Sequence, residues 1–309
     1  MSADAQVADP VSGTVFAPRG DRGYWRESAH RLTRDRVALA STATLLLFGL
    51  VALAAPLISH YVTSYGPQDQ DLLRTFQGPT SYHVLGTDEL GRDTLTRLAW
   101  GARVTLGIGL LTVSVQLFVG TMVGLFAGFH GRWVDAVAMR IVDSVLAFPD
   151  IFLFMLIAVL IRPTPVALAL IIASVGWADV SRLIRAEVLV LKNEDYILAL
   201  RSVGASNTRL MFGHVLRNAL PIVIVTASLR IGQVILIEAA LDFLGLGVQP
   251  PTPSWGNMLS NSQSYFYHSA WLVILPGLAI VLTVLATNLL GNALRDALDP
   301  RLRHAVVRL

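Results

Sequence analysis

Long apolar runs separated by short polar segments dominate the 309-residue chain. A helix needs about 20 apolar residues to cross the roughly 30 Å of hydrocarbon in a bilayer. The composition, with 54% hydrophobic and 15% charged residues, is that of an integral membrane protein. The pattern therefore predicts an all-α integral membrane protein with six transmembrane helices, at residues 37–59, 104–129, 144–161, 164–178 with a helical continuation toward residue 190, 219–248 and 270–294.

Basic residues gather near alternate ends of these helices. Cytoplasmic loops of membrane proteins carry an excess of Lys and Arg. Both termini are therefore predicted to be cytoplasmic, with a tail at 1–36, a transmembrane domain at 37–294 and a second tail at 295–309. Most of the 24 basic residues fall in segments 1–36, 130–144, 178–218 and 291–309.

The amino-terminal tail has two predicted parts. The first 20 residues are expected to be disordered. Residues 23–36 place Trp25 and Leu32 among arginines, which fits an interfacial helix along the membrane surface or a simple charged anchor.

A polar segment at 192–221 interrupts the apolar runs. Helical spacing of Ile197, Leu200 and Val203 predicts a short helix that ends at Gly204. Ser206 or Asn207 would cap a second helix presenting Leu210, Met211, Val215 and Leu216, and Pro221 would open the next apolar run. Two interpretations stay open: an apolar knob rimmed by Arg201, Arg209 and Arg217 that enters a groove on a partner, or an ordinary loop between membrane helices.

Two further patterns concern packing and missing chemistry. Gly120, Gly124 and Gly128 recur every four residues, which predicts one helix face in close contact with another helix. The chain has no cysteine, one lysine (Lys192), no phosphate-binding loop and no H-E-x-x-H motif. Disulfides, a nucleotide-hydrolysing site of that type and a metalloprotease site are therefore excluded, and the scattered basic residues do not indicate nucleic-acid binding.

Four segments resemble one family: HVLGTDELGRDTLTRLAWGARVTL at 83–106, DYILALRSVGAS at 195–206, EAALDFLGLGVQPPTPSWGNML at 238–259 and LLGNALRDALDPRL at 289–302. In this order they are similar to the C-type permease subunit of dipeptide, oligopeptide and nickel ABC importers. The resemblance implies a type I ABC importer permease fold in a bacterial cytoplasmic membrane.

The resemblance also implies partners. These are a homologous B-type permease, two ABC ATPase subunits that bind ATP and Mg, and an extracytoplasmic substrate-binding protein or lipoprotein. No cofactor, metal or catalytic residue is expected in this chain. The polar segment would hold the ATPase-coupling residues, namely Leu198, Ala199, Arg201, Gly204, Ala205, Ser206 and Arg209.

The chain departs from the family pattern at several positions. Leu198, Ala199 and Leu200 stand where the family usually has Glu-Ala-Ala, so an acidic contact to the ATPase is missing. The other departures are Arg217 for proline, Asp242 for serine and Asn292 for aspartate. They bear on docking and gating.

Charged residues inside the apolar runs are candidates for the translocation pathway. Arg230 lies roughly 14 Å past Pro221, at about 1.5 Å per residue. It would attract a peptide carboxylate or carbonyl, or it would pair with an acid on the partner permease. Glu238, with Asp242, would rim the outer mouth or extend to the surface. Asp150 follows Pro149, which fits an inner gate or a helix start.

The external segments carry the candidate contacts with the binding protein. Asp88, Arg92 and Asp93 lie in a turn-rich element before the second span, and Trp255 lies in the loop at 248–270. The first three would meet the binding protein or pair with one another as a structural cap. Peptide is the expected substrate, with nickel or another small solute as the alternative; a secondary transporter and a membrane scaffold are the rival classes.

Overall fold

The computed structural model describes residues 21–161 and 163–298, and side chains from residue 26 onward. The predicted disorder of residues 1–20, and most of the predicted tail at 295–309, lie outside the described residues. Helices make up most of the described part, which contains one isolated β-bridge, between Thr87 and Asp93. The α-helices there are α1 (Asp21–Leu32), α2 (Arg36–Leu57), α3 (Thr94–His130), α4 (Arg132–Leu146), α5 (Asp150–Ile161), α6 (Pro165–Leu191), α7 (Asp195–Ser202), α8 (Leu216–Phe243), α9 (Ser262–His268) and α10 (Trp271–Leu298).

Five helical segments of the described chain are long and apolar enough to cross a membrane. Two of them include π-helical turns, at Ile58–Thr63 after α2 and at Arg209–Val215 before α8. The bundle has an α7 end and an α9 end, named after the short helices there. The five segments are Arg36–Thr63, Thr94–His130, Pro165–Leu191, Arg209–Phe243 and Trp271–Leu298.

The predicted third span at 144–161 is divided in the structure. Helices α4 and α5 are bent by 77° at the break between them, and they count as a sixth span only when taken together. Proline lacks the amide hydrogen and disfavours helical backbone before it, so the chain breaks ahead of Pro149. Residues 144–146 belong to α4, and the 12 residues of α5 rise only about 18 Å.

The second and fourth spans pack closely along a glycine face, as the spacing of Gly120, Gly124 and Gly128 predicts. A Cβ atom at Gly124 would lie 2.5 Å from the carbonyl oxygen of Ser181 and 2.9 Å from the amide nitrogen of Arg185, both backbone atoms of α6. A Cβ atom at Gly120 or at Gly128 would also lie less than 3.0 Å from an atom of α6. Only glycine therefore permits this separation of the two helices.

Buried polar side chains fix the same pair of helices further toward the α9 end. The Thr112 hydroxyl donates to the Ala169 carbonyl at 3.1 Å, and the Gln116 amide donates to the Ile172 carbonyl at 3.2 Å. Such hydrogen bonds favour one register, because a slip would leave polar groups unpaired in an apolar interior. Helices α3 and α6 thus form a rigid pair.

The remaining spans surround this pair. Helix α10 packs against α8 and α2, and α2 and α8 both contact α3. The predicted helix in residues 23–36 corresponds to α1, which lies against α10.

Substitution of Gly124 by alanine is expected to destabilise the protein by about 1 to 3 kcal/mol, because the added methyl group meets the backbone of α6. Gly107 of the same helix is the matched control, since a Cβ there would have no neighbour within 4 Å. Gly107→Ala should leave the free energy of unfolding unchanged or raise it by up to about 1 kcal/mol. Unfolding in detergent, followed by circular dichroism, measures both; equal effects would contradict the close contact.

Candidate functional site

A short hairpin at the α7 end corresponds to the predicted polar segment. Helix α7 ends at Ser202, and Gly204 has a φ of +86°, a conformation that favours glycine. The Gly204 amide donates to the Arg201 carbonyl at 3.1 Å, and the Ala205 amide donates to the Leu200 carbonyl at 3.0 Å. This is a Schellman motif, so the predicted helix and glycine turn are confirmed. We call residues 195–216 the α7 hairpin.

The second arm of the hairpin differs from the prediction. Its π-helical turn at Arg209–Val215 runs directly into α8, which continues through Pro221 without a break. The Ser206 hydroxyl accepts weakly from the Arg209 amide at 3.4 Å, as expected of the cap.

The apolar face of that arm is turned inward. Leu210, Met211 and Val215 are buried against α3 and α6, and Leu216 is partly buried there, so the interpretation in which this face enters a groove on a partner is wrong. Helical periodicity shows that a face is apolar, but not which neighbour covers it.

The exposed tip of the hairpin is small and partly apolar. Val203 is 80% exposed and Leu198 is 47% exposed. The candidate residues Ala199, Arg201, Gly204, Ser206 and Arg209 are also exposed, whereas Ala205 is partly buried. The exposed part of the hairpin therefore consists of α7 and the glycine turn, with arginines beside them.

Contacts with three spanning helices hold the hairpin in place. Ile197 is fully buried in the cluster formed by α3 and α6. Just before the hairpin, the Lys192 ammonium at the end of α6 donates to the Gly128 carbonyl at the end of α3, at 2.7 Å. The Asn218 amide of α8 donates to the Tyr196 oxygen at 2.6 Å, and burial raises the pKa of the Tyr196 phenol, which stays neutral near pH 7. A displacement of the hairpin would consequently be passed to α3, α6 and α8.

An ion pair joins α6 to α8 within the bundle. The Arg230 guanidinium lies 2.9 Å from the Asp179 carboxylate, and Asp150 begins α5, which packs against both helices. Arg230 was expected to line the pathway or to pair with an acid on another subunit; its observed partner is in this chain. The sequence reasoning missed Asp179, although an acid directly after the apolar run at 164–178, in its predicted helical continuation, was a visible signal.

Glu238 and Asp242 lie in the core at the α9 end, away from any open mouth within this chain. Glu238 is fully buried and accepts a hydrogen bond from Thr105 of α3 at 3.1 Å. Asp242 accepts from the Val248 amide at 2.5 Å and from the Ser254 hydroxyl. The prediction that these acids rim a mouth or reach the surface is therefore wrong. They tie α8 to α3 and to its own following loop.

The candidate docking side chains at the α9 end are also buried. Asp88, Arg92 and Asp93 are each at most 6% exposed, and Trp255 is 1% exposed. The Trp255 indole donates to the Leu98 carbonyl at 3.0 Å. These side chains lie beneath the surface at this end and support the residues that form it.

A buried charge network explains the turn-rich element before α3. Asp88 Oδ2 lies 2.7 Å from Arg92 Nε and 3.2 Å from Arg97 Nε. Asp93 caps α3 by accepting from the Thr96 amide at 2.8 Å, and its other oxygen lies 3.0 Å from His83 Nδ1. The arrangement is the structural cap that was the alternative to direct docking. His83 and Arg97 were missed by the sequence reasoning because their partners lie on a different turn of the chain.

A bundle of apolar helices with a tightly packed hairpin at one end and a partly exposed ion pair inside is the architecture of a multi-pass membrane protein. The chain belongs to the family described as the binding-protein-dependent transport system inner membrane component, whose family profile matches residues 120–304. A second profile, the N-terminal TM domain of oligopeptide transport permease C, matches residues 23–79. The resemblance seen in the sequence, and the fold class it implies, are thereby confirmed.

Similar proteins cover almost the whole chain. The chain is 42% identical to the di/tripeptide transport system permease protein DppC of Pseudomonas aeruginosa, over 98% of both chains. It is 40% identical to the dipeptide transport system permease protein DppC of Alkalihalophilus pseudofirmus, over 90% of both chains. It is 39% identical to the glutathione transport system permease protein GsiD of Pectobacterium atrosepticum, over 94% of this chain and 95% of that one.

Substitution of Asp88 by asparagine is expected to destabilise the protein by about 3 to 5 kcal/mol, because two buried arginines lose their shared anion. Asp71 is the matched control: it pairs with Arg74 in the same turn-rich element, but both side chains are about two-fifths exposed. Asp71→Asn should cost less than about 1 kcal/mol. Unfolding in detergent compares the two, and a small effect at Asp88 would contradict its role in the cap.

Proposed function

We propose that this chain is one of two permease subunits of an ATP-driven importer and forms half of the pathway that carries peptides across the bacterial cytoplasmic membrane. The other subunits would be a homologous B-type permease, two ABC ATPases and an extracytoplasmic substrate-binding protein or lipoprotein. The observation that carries the proposal is the α7 hairpin, which has an exposed tip, packs against α3 and α6, and is hydrogen-bonded to α8.

The hairpin would be the part of the permease that the ATPase subunits contact and move. ATP and Mg would bind to the ATPase subunits, because the permease sequence has no phosphate-binding loop. Closure of the ATPases moves the tip of the hairpin, and the rigid α3–α6 pair follows it as a body. The bundle thereby alternates between openings at its two ends. The chain itself would hydrolyse nothing and would need no cofactor.

The tip explains how docking can work without the acidic residue usual in the family. Leu198 and Val203 give an apolar contact surface, and Arg201 and Arg209 are exposed beside it. An apolar knob flanked by arginines suits a groove with acidic edges on the ATPase. The contact would thus rely on burial of apolar area and on complementary charge.

Peptides are the substrate class that the relatives favour. The similar proteins named above are called permeases for dipeptides, di- and tripeptides, and glutathione, which is itself a peptide.

A charged group inside the membrane is costly unless it faces protein or a water-filled cavity. Arg230 and Asp179, both partly exposed on this chain, would line such a cavity between the two permeases. The buried cap at the α9 end would support the surface on which the binding protein docks.

The proposed orientation places the α7 end and both termini in the cytoplasm. The chain has no cysteine, so single-cysteine variants give labelling without background. We expect an impermeant maleimide to label Ser206→Cys only in inside-out vesicles. The matched variant Ser81→Cys, exposed at the α9 end, should be labelled only in right-side-out vesicles. The opposite pattern would overturn both the orientation and the coupling role.

Substitution of Val203 by aspartate is expected to lower retention of the ATPase subunits during purification by about tenfold, since it places a charge in an apolar contact. The side chain is 80% exposed, so the permease should still fold. Leu73→Asp, which places the same acid at a residue 97% exposed at the α9 end, should not alter ATPase retention. Co-purification and ATP-dependent peptide uptake in proteoliposomes measure the effect; normal retention in Val203→Asp would contradict the proposed contact.

A further inference from the structure

Three ionisable side chains from three neighbouring helices lie at a similar depth of the bundle. At about 1.5 Å per residue from the α9 end of each helix, Asp150 of α5 lies roughly 17 Å along, Arg230 of α8 roughly 20 Å and Asp179 of α6 roughly 21 Å. The depth is well inside a hydrocarbon layer about 30 Å thick. Arg230 and Asp179 are 2.9 Å apart, and Asp150 is the first residue of α5, which packs against both α6 and α8. We call these three residues the mid-depth cluster.

The cluster is open on one side of this chain. The Asp179 side chain is 43% exposed and the Arg230 side chain 18% exposed, and Asp150 is also partly exposed. Gln233, one turn further along α8 from Arg230, is exposed as well. The surface of α2 is different: its outward residues Leu46, Leu50 and Leu53 are all more than 60% exposed and apolar, as suits lipid. The polar side therefore faces water or protein.

The ion pair of the cluster has one member of each charge, the Arg230 guanidinium and the Asp179 carboxylate. A solute that approaches the pair can replace one of its members only by supplying the matching charge. A solute with a single charge would leave the other member unpaired at this depth, which is unfavourable in a poorly hydrated site. A solute with both charges leaves neither unpaired.

We propose, on the basis of the function proposed above, that the mid-depth cluster is a transient binding site for the two free termini of a peptide. Arg230 binds the terminal carboxylate through paired N–H donors, while Asp179 and Asp150 bind the terminal ammonium group. The peptide exchanges with the internal ion pair as it passes. The pair closes again behind it, so that Arg230 and Asp179 are bonded to each other when no cargo is present.

If the Arg230–Asp179 pair were purely structural, its removal would not change peptide uptake per ATP in a transporter that still assembles. The double variant Arg230→Gln with Asp179→Asn tests this. It removes both charges together, so no unpaired partner remains to prevent folding. We expect the complete transporter to assemble and to keep its binding-protein-stimulated ATPase within about twofold. Peptide uptake per ATP should fall by about tenfold or more, because charge-assisted hydrogen bonds to the cargo are lost.

The matched control is the pair Arg182–Asp143, which also joins α6 to a neighbouring helix but is exposed on both partners. The double variant Arg182→Gln with Asp143→Asn should leave uptake per ATP unchanged. Unchanged uptake per ATP in the Arg230 and Asp179 double variant would overturn the proposal. Absence of ATP-dependent peptide uptake by the unaltered transporter would instead refute the function on which it rests.

A second measurement tests the chemical class of the ligand. Uptake of a free dipeptide is compared with uptake of its C-terminal amide, in the unaltered transporter and in Arg230→Gln. For each transporter, the uptake of the free dipeptide is divided by the uptake of its amide, and the two quotients are compared. The same binding protein delivers both peptides to both transporters, so its own preference cancels in this comparison. We expect the preference for the free carboxylate to fall by about tenfold in Arg230→Gln. An identical preference in the two transporters would show that Arg230 does not bind the carboxylate.

Discussion

The close contact between α3 and α6 is the constraint on which the rest of the structure depends. Three glycines let the two backbones approach so closely that a single methyl group at Gly124 would force them apart. In a bilayer, where apolar surfaces gain little from leaving lipid, close backbone packing and interhelical hydrogen bonds provide the stability. The contact places the end of α3 beside Lys192 and Ile197. It also sets the position of Asp179 on α6 relative to the other spans.

The apolar pattern predicted the spans well because each needs an uninterrupted run of suitable length. Helix α6, for instance, extends as far as its apolar continuation toward residue 190 indicates. The pattern failed at residues 144–161, where hydropathy continues through Pro149 but the helix does not. The glycine turn at Gly204 was also predictable, since its cause is local: a backbone conformation that other residues rarely adopt.

Side-chain partners were not predictable in the same way. Leu210, Met211 and Val215 form an apolar face by their spacing, yet the spacing is the same whether α3 and α6 or another protein covers it. Arg230 and Asp179 are 51 positions apart, and only the packing of α6 against α8 brings them together. Distant pairs depend on tertiary structure, which local periodicity does not contain. The motif at 238–259 was useful for recognising the family, but its acids proved to be structural.

Burial separates the charged residues of this protein into two groups with different consequences. The first group is enclosed at the α9 end and consists of Asp88, Asp93, Glu238 and Asp242. Three of these, Asp88, Asp93 and Asp242, accept hydrogen bonds from the backbone as well as from side chains. Such groups keep the local structure fixed and exchange partners slowly, because each exchange would expose an unpaired charge. Arg230 and Asp179 have a single bond to each other and an open side. A partly hydrated pair of this kind costs less to separate, since water or a solute can occupy the vacated positions. A transport pathway needs binding that is reversible within each cycle. The half-exposed pair meets that requirement, and the enclosed network does not.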